Sequence, residues 1–307
     1  MEKIQQLQKE IEKAITGKSK QLTLILSAWL AGGNILLEDI PGVGKTTLAV
    51  AMSRAMGISY QRVQFTPEII PSDIVGYTSY QPETGTYVYQ EGAILCHLFL
   101  ADELNRASGK TQAALLEAME EKQITVDKET RKLPDPFCVI ATQNPYGAVG
   151  TQKLPQSQMD RFMVRLSLGY PDHESQIKII QMRACANPIS EIQPVMTKEE
   201  LLECKEKVKQ VEVHDTVLDY MVSLAEETRK HPYVQIGVSP RGILALYNMA
   251  RAYAFMAGRN YVIPDDVAEI FSAVCAHRIV KNGKGEHRTR EQIIEEVLKS
   301  VPIPKKK

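Results

Sequence analysis

Pro41-Gly42-Val43-Gly44-Lys45-Thr46-Thr47 has the residue types and order needed to hold a chain of phosphates. An apolar run, Asn34 to Leu37, precedes it and reads as a buried strand; Leu48 to Met52 follows and reads as a helix. A strand, a glycine-rich turn ending in Gly-Lys-Thr and a helix make an anion cradle. The N–H groups of the turn and the positive helix N-terminus face one point. In such a cradle Lys45 reaches the β- and γ-phosphates and the Thr46 hydroxyl holds Mg2+. The expected ligand is a nucleoside triphosphate with magnesium, bound by Pro41 to Thr47. One position is unusual. The general pattern has glycine six residues before the lysine, where this chain has Asp39. A carboxylate beside phosphates is unfavourable unless it points away, so the sequence leaves the role of Asp39 open.

Four further stretches could complete a site. Leu98 to Ala101 reads as an apolar strand, and it ends in Asp102 and Glu103. Phosphoryl transfer to water needs one acid near the metal and one near the water. Asp102 suits the Mg2+ shell and Glu103 the general base. Val139 to Pro145 is another strand with a polar end, where Asn144 could orient the water; Asn-Pro also favours a plain turn. Arg161, in Asp160-Arg161-Phe162, could neutralise γ-phosphate charge in the transition state. It could equally form a surface ion pair, and residue chemistry alone does not choose. Arg241 follows Ser239-Pro240, an N-cap and a first-turn proline. A cation there opposes the helix dipole at about 0.3–1 kcal/mol, a sign that a bound phosphate would reverse.

The elements that must position these residues alternate. Helical spacing covers 3–15 and 19–31. Short apolar runs at 34–38, 60–65, 95–101, 137–142 and 163–168 are separated by helical segments. That rhythm predicts an α/β fold with a mostly parallel sheet covered on both faces, which binds ligands at the carboxyl ends of its strands. Residues 77–90 and 123–133 read as hairpin insertions, the second turning near Asp127 to Thr130. Tyr77, Tyr80, Tyr87 and Tyr89 could grip a partner or simply form a cross-strand ladder. After residue 188 strand signals stop. Helices are expected at 197–210, 214–230, 240–257, 264–280 and 289–300, with a Thr197–Glu200 capping box. The expected domains are an α/β core over 1–188 and an all-helical unit over 189–307.

The bulk composition sets limits. The chain has 307 residues and a formal net charge of zero, which argues against a broad nucleic-acid footprint. The locally basic end, Lys305-Lys306-Lys307, reads as a solvated tail. Five cysteines without CxxC spacing suit a reducing compartment, with Cys96 and Cys138 as small core residues. The first residues are polar and charged, unlike a signal peptide, and no apolar run is long enough to span a membrane. A cytoplasmic location is expected.

Taken together, these stretches resemble the AAA+ ATPases, and specifically the MoxR family. The similarity lies in Leu36 to Thr46, Ala101 to Ala107, Lys110 to Glu121, Ala141 to Pro145, Leu154 to Phe162 and Ser239 to Arg241. They occur in family order and fall within residues 30–258; the family tolerates an acid at the position of Asp39. The resemblance implies a phosphate-loop ATPase core and a helical lid. It also implies rings, usually hexamers, with ATP at subunit interfaces. By analogy Asn144 is sensor 1, Arg241 is sensor 2, and Arg161 acts on the neighbour's ATP, with Arg106 and Arg165 ranked below it. Gly17, with Thr16, lies where relatives contact adenine. Family members commonly act as chaperone-like partners of von Willebrand factor A domain proteins, which would here be a separate chain. Two other classes fit the sequence less well. A nucleic-acid motor is disfavoured by neutral charge and the lack of a basic stripe on the second hairpin. A small-molecule kinase is disfavoured by the Asp102-Glu103 pair, which suits water activation.

Overall fold

The computed structural model describes residues 2–144, 154–185 and 188–304. Pro145 of the Asn144-Pro145 pair, Met1 and the Lys305–Lys307 tail lie outside them. The chain opens with α1 (Glu2–Glu12), α2 (Ser19–Leu30), β1 (Ile35–Glu38), α3 (Lys45–Met56), β2 (Tyr60–Gln64) and α4 (Pro71–Val75). A hairpin follows, β3 (Gly76–Gln81) with β4 (Thr86–Glu91), then β5 (Leu98–Asp102) and α5 (Gly109–Glu121). A second hairpin, β6 (Gln123–Val126) with β7 (Glu129–Lys132), leads to β8 (Cys138–Gln143), α6 (Gln156–Met159), β9 (Val164–Leu166) and α7 (His173–Cys185). The remainder is α8 (Lys198–Lys209), α9 (Asp215–Lys230), β10 (Val234–Ile236), α10 (Pro240–Met256), α11 (Pro264–Cys275), β11 (Val280–Lys281) and α12 (Arg290–Ser300).

The main sheet has the order β2-β5-β8-β1-β9, all neighbours parallel. Its central strands are buried on both faces, and alternate residues feed different cores. Ile35, Leu37, Leu98, Leu100 and Ile140 face a core shared with α1, α2, α3 and the C-terminal helices. Leu36, Phe99, Ala101, Val139 and Ala141 face the opposite way, toward α4 and α5. Cys96 and Cys138 are buried, as their apolar settings predict, and burial pushes both thiols up to about 12.

Both hairpins form where the sequence places them. The second turns more tightly than expected: Asp127 and Lys128 alone make the loop, both at positive φ, the twist that matches paired strands. In the first, Tyr80 faces Tyr87 with ring centroids 5.3 Å apart, so the ladder exists. Tyr77, Tyr80 and Tyr87 nonetheless remain more than half exposed.

The C-terminal part is helical except for one ribbon. The helix expected over 264–280 stops at Cys275; a 3-10 turn follows, and Val280–Lys281 pairs antiparallel with β10. The chain breaks there because His277 and Arg278 turn inward to meet the backbone ahead of β9. The Thr197–Glu200 capping box forms, and the Ser239 hydroxyl caps α10 at the Gly242 N–H (3.1 Å).

Candidate active site

β1 delivers the chain to the phosphate loop at the carboxyl end of the sheet. Gly42 and Gly44 adopt φ of 87° and 96°, a region costly for residues with a Cβ. A Cβ on Gly42 would meet nothing within 4 Å, so backbone conformation alone demands glycine there. Gly44 precedes α3 with no side-chain cap, leaving the first-turn N–H groups of Lys45, Thr46 and Thr47 for an anion. The Lys45 ammonium donates to the Asp39 carbonyl (2.9 Å) and the Ile40 carbonyl (3.4 Å), spanning the loop from within. Burial pushes its pKa down, opposed by the charges of Asp39, Asp102 and Glu103. A phosphate would add a far stronger opposing charge.

Asp39 points away. Its carboxylate accepts from Ser167 Oγ (2.7 Å), Leu168 N (2.6 Å) and Gly169 N (3.0 Å). It therefore ties the start of the loop to the segment after β9 and keeps its charge hydrogen-bonded to another segment. That tie is a tertiary event, which the local sequence could not display.

Asp102 and Glu103 end β5 as expected. One hydroxyl organises both: Thr142 donates to Asp102 Oδ1 (2.6 Å) and accepts from the Glu103 N–H (2.8 Å). Arg62 on the edge strand β2 pairs with Asp102 Oδ2 at 2.7 Å. Glu103 sits at φ 57°, and its Oε2 accepts from Gln64 (2.9 Å) and Arg106 (3.0 Å). Thr142, Arg62 and Gln64 were not singled out from sequence. Register was the available signal, since Gln64 pairs with Asp102 across β2 and β5. Among the described residues no three His, Cys, Asp or Glu side chains gather as a metal nest. The oxygens at hand are the Thr46 hydroxyl and the Asp102 carboxylate, a sparse hard set that fits Mg2+ held mainly by phosphates and water. Asn144 follows the last residue of β8, one strand over from Glu103.

Beside the loop lies a cleft of about 320 Å³, lined by Ile15, Thr16, Val43, Tyr170, Ile179 and Ile180 among others. Its apolar walls suit a purine base. Gly17 is not part of the lining; at φ 74°, with a would-be Cβ 2.2 Å from Ser175 Oγ, it lets residues 13–18 turn tightly against α7.

Arg161 and Arg241 are brought together, but away from the phosphate loop of their own chain. Arg161 Nε lies 3.3 Å from Glu120 Oε2, and Arg241 pairs with Glu120 Oε1. Glu120 is in the last turn of α5. Asn34, just before β1, bonds to Met119 O (3.5 Å), Val139 N (2.9 Å) and Met163 N (2.8 Å). The two arginines therefore occupy the amino end of the sheet. The loop is at the carboxyl end, about 13 Å away along the four residues of β1. Arg165 and Arg106 are spent within the chain, on Glu38 (3.0 Å) and Glu103.

A residue the sequence did not flag holds this arginine pair. Arg278, 3% exposed, donates to Asp160 Oδ1 (2.8 Å), Asp160 O (3.2 Å), Phe162 O (2.7 Å) and Met163 O (3.2 Å). The other Asp160 oxygen accepts from Ser239 (3.1 Å), the cap of the helix bearing Arg241. One buried guanidinium thus braces the backbone around Arg161, while Asp160 links it to Arg241. Arg278→Ala should lower stability by about 3–5 kcal/mol, the cost of stranding a paired charge and several carbonyls. Arg278→Lys should recover little of it, lacking the planar fork. Urea denaturation of the three proteins checks this.

His277 is buried beside it, its Nε2 3.1 Å from the Phe162 carbonyl, to which a ring N–H donates, and 2.8 Å from Arg278 Nη1. Burial, then the charge of Arg278, pushes its pKa well below 6.5. The folded form stays neutral where the unfolded form takes a proton. Stability is therefore complete above about pH 6.5 and falls as pH drops below it, by up to about 1.4 kcal/mol per unit. Comparing melting of wild type and His277→Gln between pH 7.5 and 5.5 should show a shallower loss in the variant.

The chain is similar to known proteins. Residues 34–164 match the model for the ATPase family associated with various cellular activities (AAA), and 226–297 match the AAA lid domain. The chain is 42% identical over 296 residues to the uncharacterized protein YeaC of Bacillus subtilis, covering 96% of this chain and 92% of that one. It is 34% identical to the chaperone MoxR1 of Mycobacterium tuberculosis, covering 96% and 81%. The crystal structure of a candidate ATPase from Cytophaga hutchinsonii superposes with a TM-score of 0.92 at 34% identity, covering 99% and 96%. With the ATPase and lid models both matched and the MoxR1 chaperone related over nearly the whole chain, the chain belongs to the MoxR family of AAA+ ATPases.

Proposed function

We propose that this chain is the ATP-hydrolysing subunit of a ring, in which each active site is completed by the next copy. The observation that carries this is the separation of Arg161 and Arg241 from their own phosphate loop. Both are paired to a single carboxylate at the far end of the sheet. An arginine there can meet a γ-phosphate only on another subunit. In the proposed site Pro41 to Thr47 hold the phosphates and the cleft beside Ile15 and Tyr170 holds adenine. Thr46 and Asp102 serve Mg2+, which draws charge from the phosphates. Glu103 takes the proton of the attacking water, and Asn144 orients that water. Arg161 and Arg241 from the neighbour exchange Glu120 for the γ-phosphate and neutralise its charge as the bond breaks.

Loss of the γ-phosphate returns both arginines to Glu120. Because Arg278 and Asp160 join Arg161 to α10, that exchange moves the lid (189–307) of one subunit relative to the core (1–188) of another. The exposed tyrosines of the first hairpin are placed to pass the movement to a bound protein. A chaperone-like, cytoplasmic remodelling role follows, with a separate von Willebrand factor A domain protein as the expected partner class and a hexamer as the expected ring. No described helix is long and apolar enough to cross a membrane.

Subunit mixing tests the shared site. Glu103→Gln and Arg161→Ala should each be inactive alone. Mixed, they should regain hydrolysis, because some interfaces then combine an intact Glu103 with an intact Arg161. Mixtures that stay inactive while still co-assembling would overturn the trans assignment.

A further inference from the structure

A second cavity, about 640 Å³, lies at the amino end of the sheet between the end of α2, the base of the β6–β7 hairpin and helices α8 and α10. Its volume falls in the range of small-molecule sites. Five cations line it (Lys122, Lys132, Lys205, Lys209 and Arg251) against two acids, Asp135 and Glu206. That local excess is built into a chain whose net charge is zero.

Local partners do not balance it. Glu206 is used by Lys209, at 2.6 Å. Arg251 is turned to the Val211 carbonyl (3.1 Å) and over the ring of Tyr247. Lys122 lies near the end of α2, where its charge suits the helix C-terminus. Lys205 has no such outlet. Its side chain is 12% exposed, and its nearest carboxylate, Asp135, is 3.8 Å away and itself 73% exposed. Its ammonium makes no hydrogen bond among the described residues and lies over the face of Trp29, 5.6 Å from the ring centroid. Burial and the charge of Lys122 both push its pKa down. Residues 145–153, 186–187 and 305–307 contain no Asp or Glu side chain.

Three lysines from three elements converge here: Lys122 at the end of α5, Lys132 at the end of β7 and Lys205 in α8. Holding this excess of like charge together is unfavourable unless something anionic occupies the space between them. Lysines act as point charges, which suits phosphate oxygens without the planar match a carboxylate takes from arginine. Leu133, Phe137 and Leu202 give the cavity an apolar side. We infer that this cavity binds a small molecule carrying two or more phosphates beside an apolar part, at a site separate from the phosphate loop. Such a ligand would tie α8 to α5 and the second hairpin, and so stiffen the junction through which the helical part moves.

The test is calorimetric titration of inorganic pyrophosphate into the full-length Lys45→Ala protein, whose phosphate loop is disabled. Binding should persist in that background and weaken about tenfold or more when Lys122→Gln and Lys205→Gln are added. Lys132→Gln, on an exposed hairpin end, should weaken it in the same direction, which keeps the test open if the double change impairs folding. Binding that disappears with Lys45→Ala alone would put all pyrophosphate at the phosphate loop and overturn the inference. So would binding unaffected by the lysine changes, or citrate binding more tightly than pyrophosphate. The readout is binding, so it stands apart from whether the ring hydrolyses ATP.

Discussion

Glu103→Gln should bind ATP as the wild type does and turn it over about 10²–10⁴-fold more slowly, the usual worth of a positioned base. The substitution is nearly isosteric, and the surroundings explain why it isolates the chemistry. The Glu103 backbone is held at φ 57° by its N–H bond to Thr142, which a side-chain amide does not disturb. Gln64 and Arg106 both approach Oε2. An amide retains an oxygen for one of them, so side-chain direction is largely kept while basicity is lost. Lys45, Thr46 and the first-turn N–H groups of α3 are untouched. Equilibrium binding of a fluorescent ATP analogue and single-turnover hydrolysis measure the two effects separately. Turnover within threefold of wild type would remove Glu103 from the base position.

Arg161→Ala should lower hydrolysis in the assembled protein by about 10³–10⁵-fold, the range for an arginine that stabilises transferring phosphoryl charge. ATP affinity of the isolated subunit should not change, because Arg161 lies at the opposite end of the sheet from the loop that binds it. Stability should change little as well. The Arg161–Glu120 contact is about one-third exposed on both sides, and pairs of that kind contribute about 0–1 kcal/mol. Arg161→Lys should stay slow, since an ammonium cannot reproduce the planar fork. Multiple-turnover rates at protein concentrations that saturate assembly check this. Full activity in the alanine variant would leave Arg241 as the arginine that matters.

The sequence displayed the parts that depend on short-range chemistry. Gly42 and Gly44 announce a turn of left-handed backbone, Lys45 and Thr46 its ligand, and the hydrophobic run before Asp102 a strand ending in acids. Each signal sits within a few residues, where backbone geometry dictates residue type. The hairpins were legible for the same reason, although the tighter Asp127–Lys128 turn was not. The helix expected to continue to 280 failed because its last turn is decided by burial. His277 and Arg278 satisfy carbonyls more than a hundred residues earlier in the chain, and no local propensity records that.

Sequence by itself therefore determined the nucleotide cradle, the alternation of strands and helices, and the list of charged residues that could act. Tertiary structure alone decided where those charges point. It turned Asp39 away from the phosphates through Ser167, Leu168 and Gly169, and set Thr142 between Asp102 and Glu103. It placed Arg161 and Arg241 on Glu120 at the wrong end of the sheet for their own nucleotide. The physical reason is the reach of the interactions. Turn conformation and hydrophobic period act over neighbouring residues, whereas hydrogen bonds and ion pairs join whatever the folded sheet brings within about 3 Å.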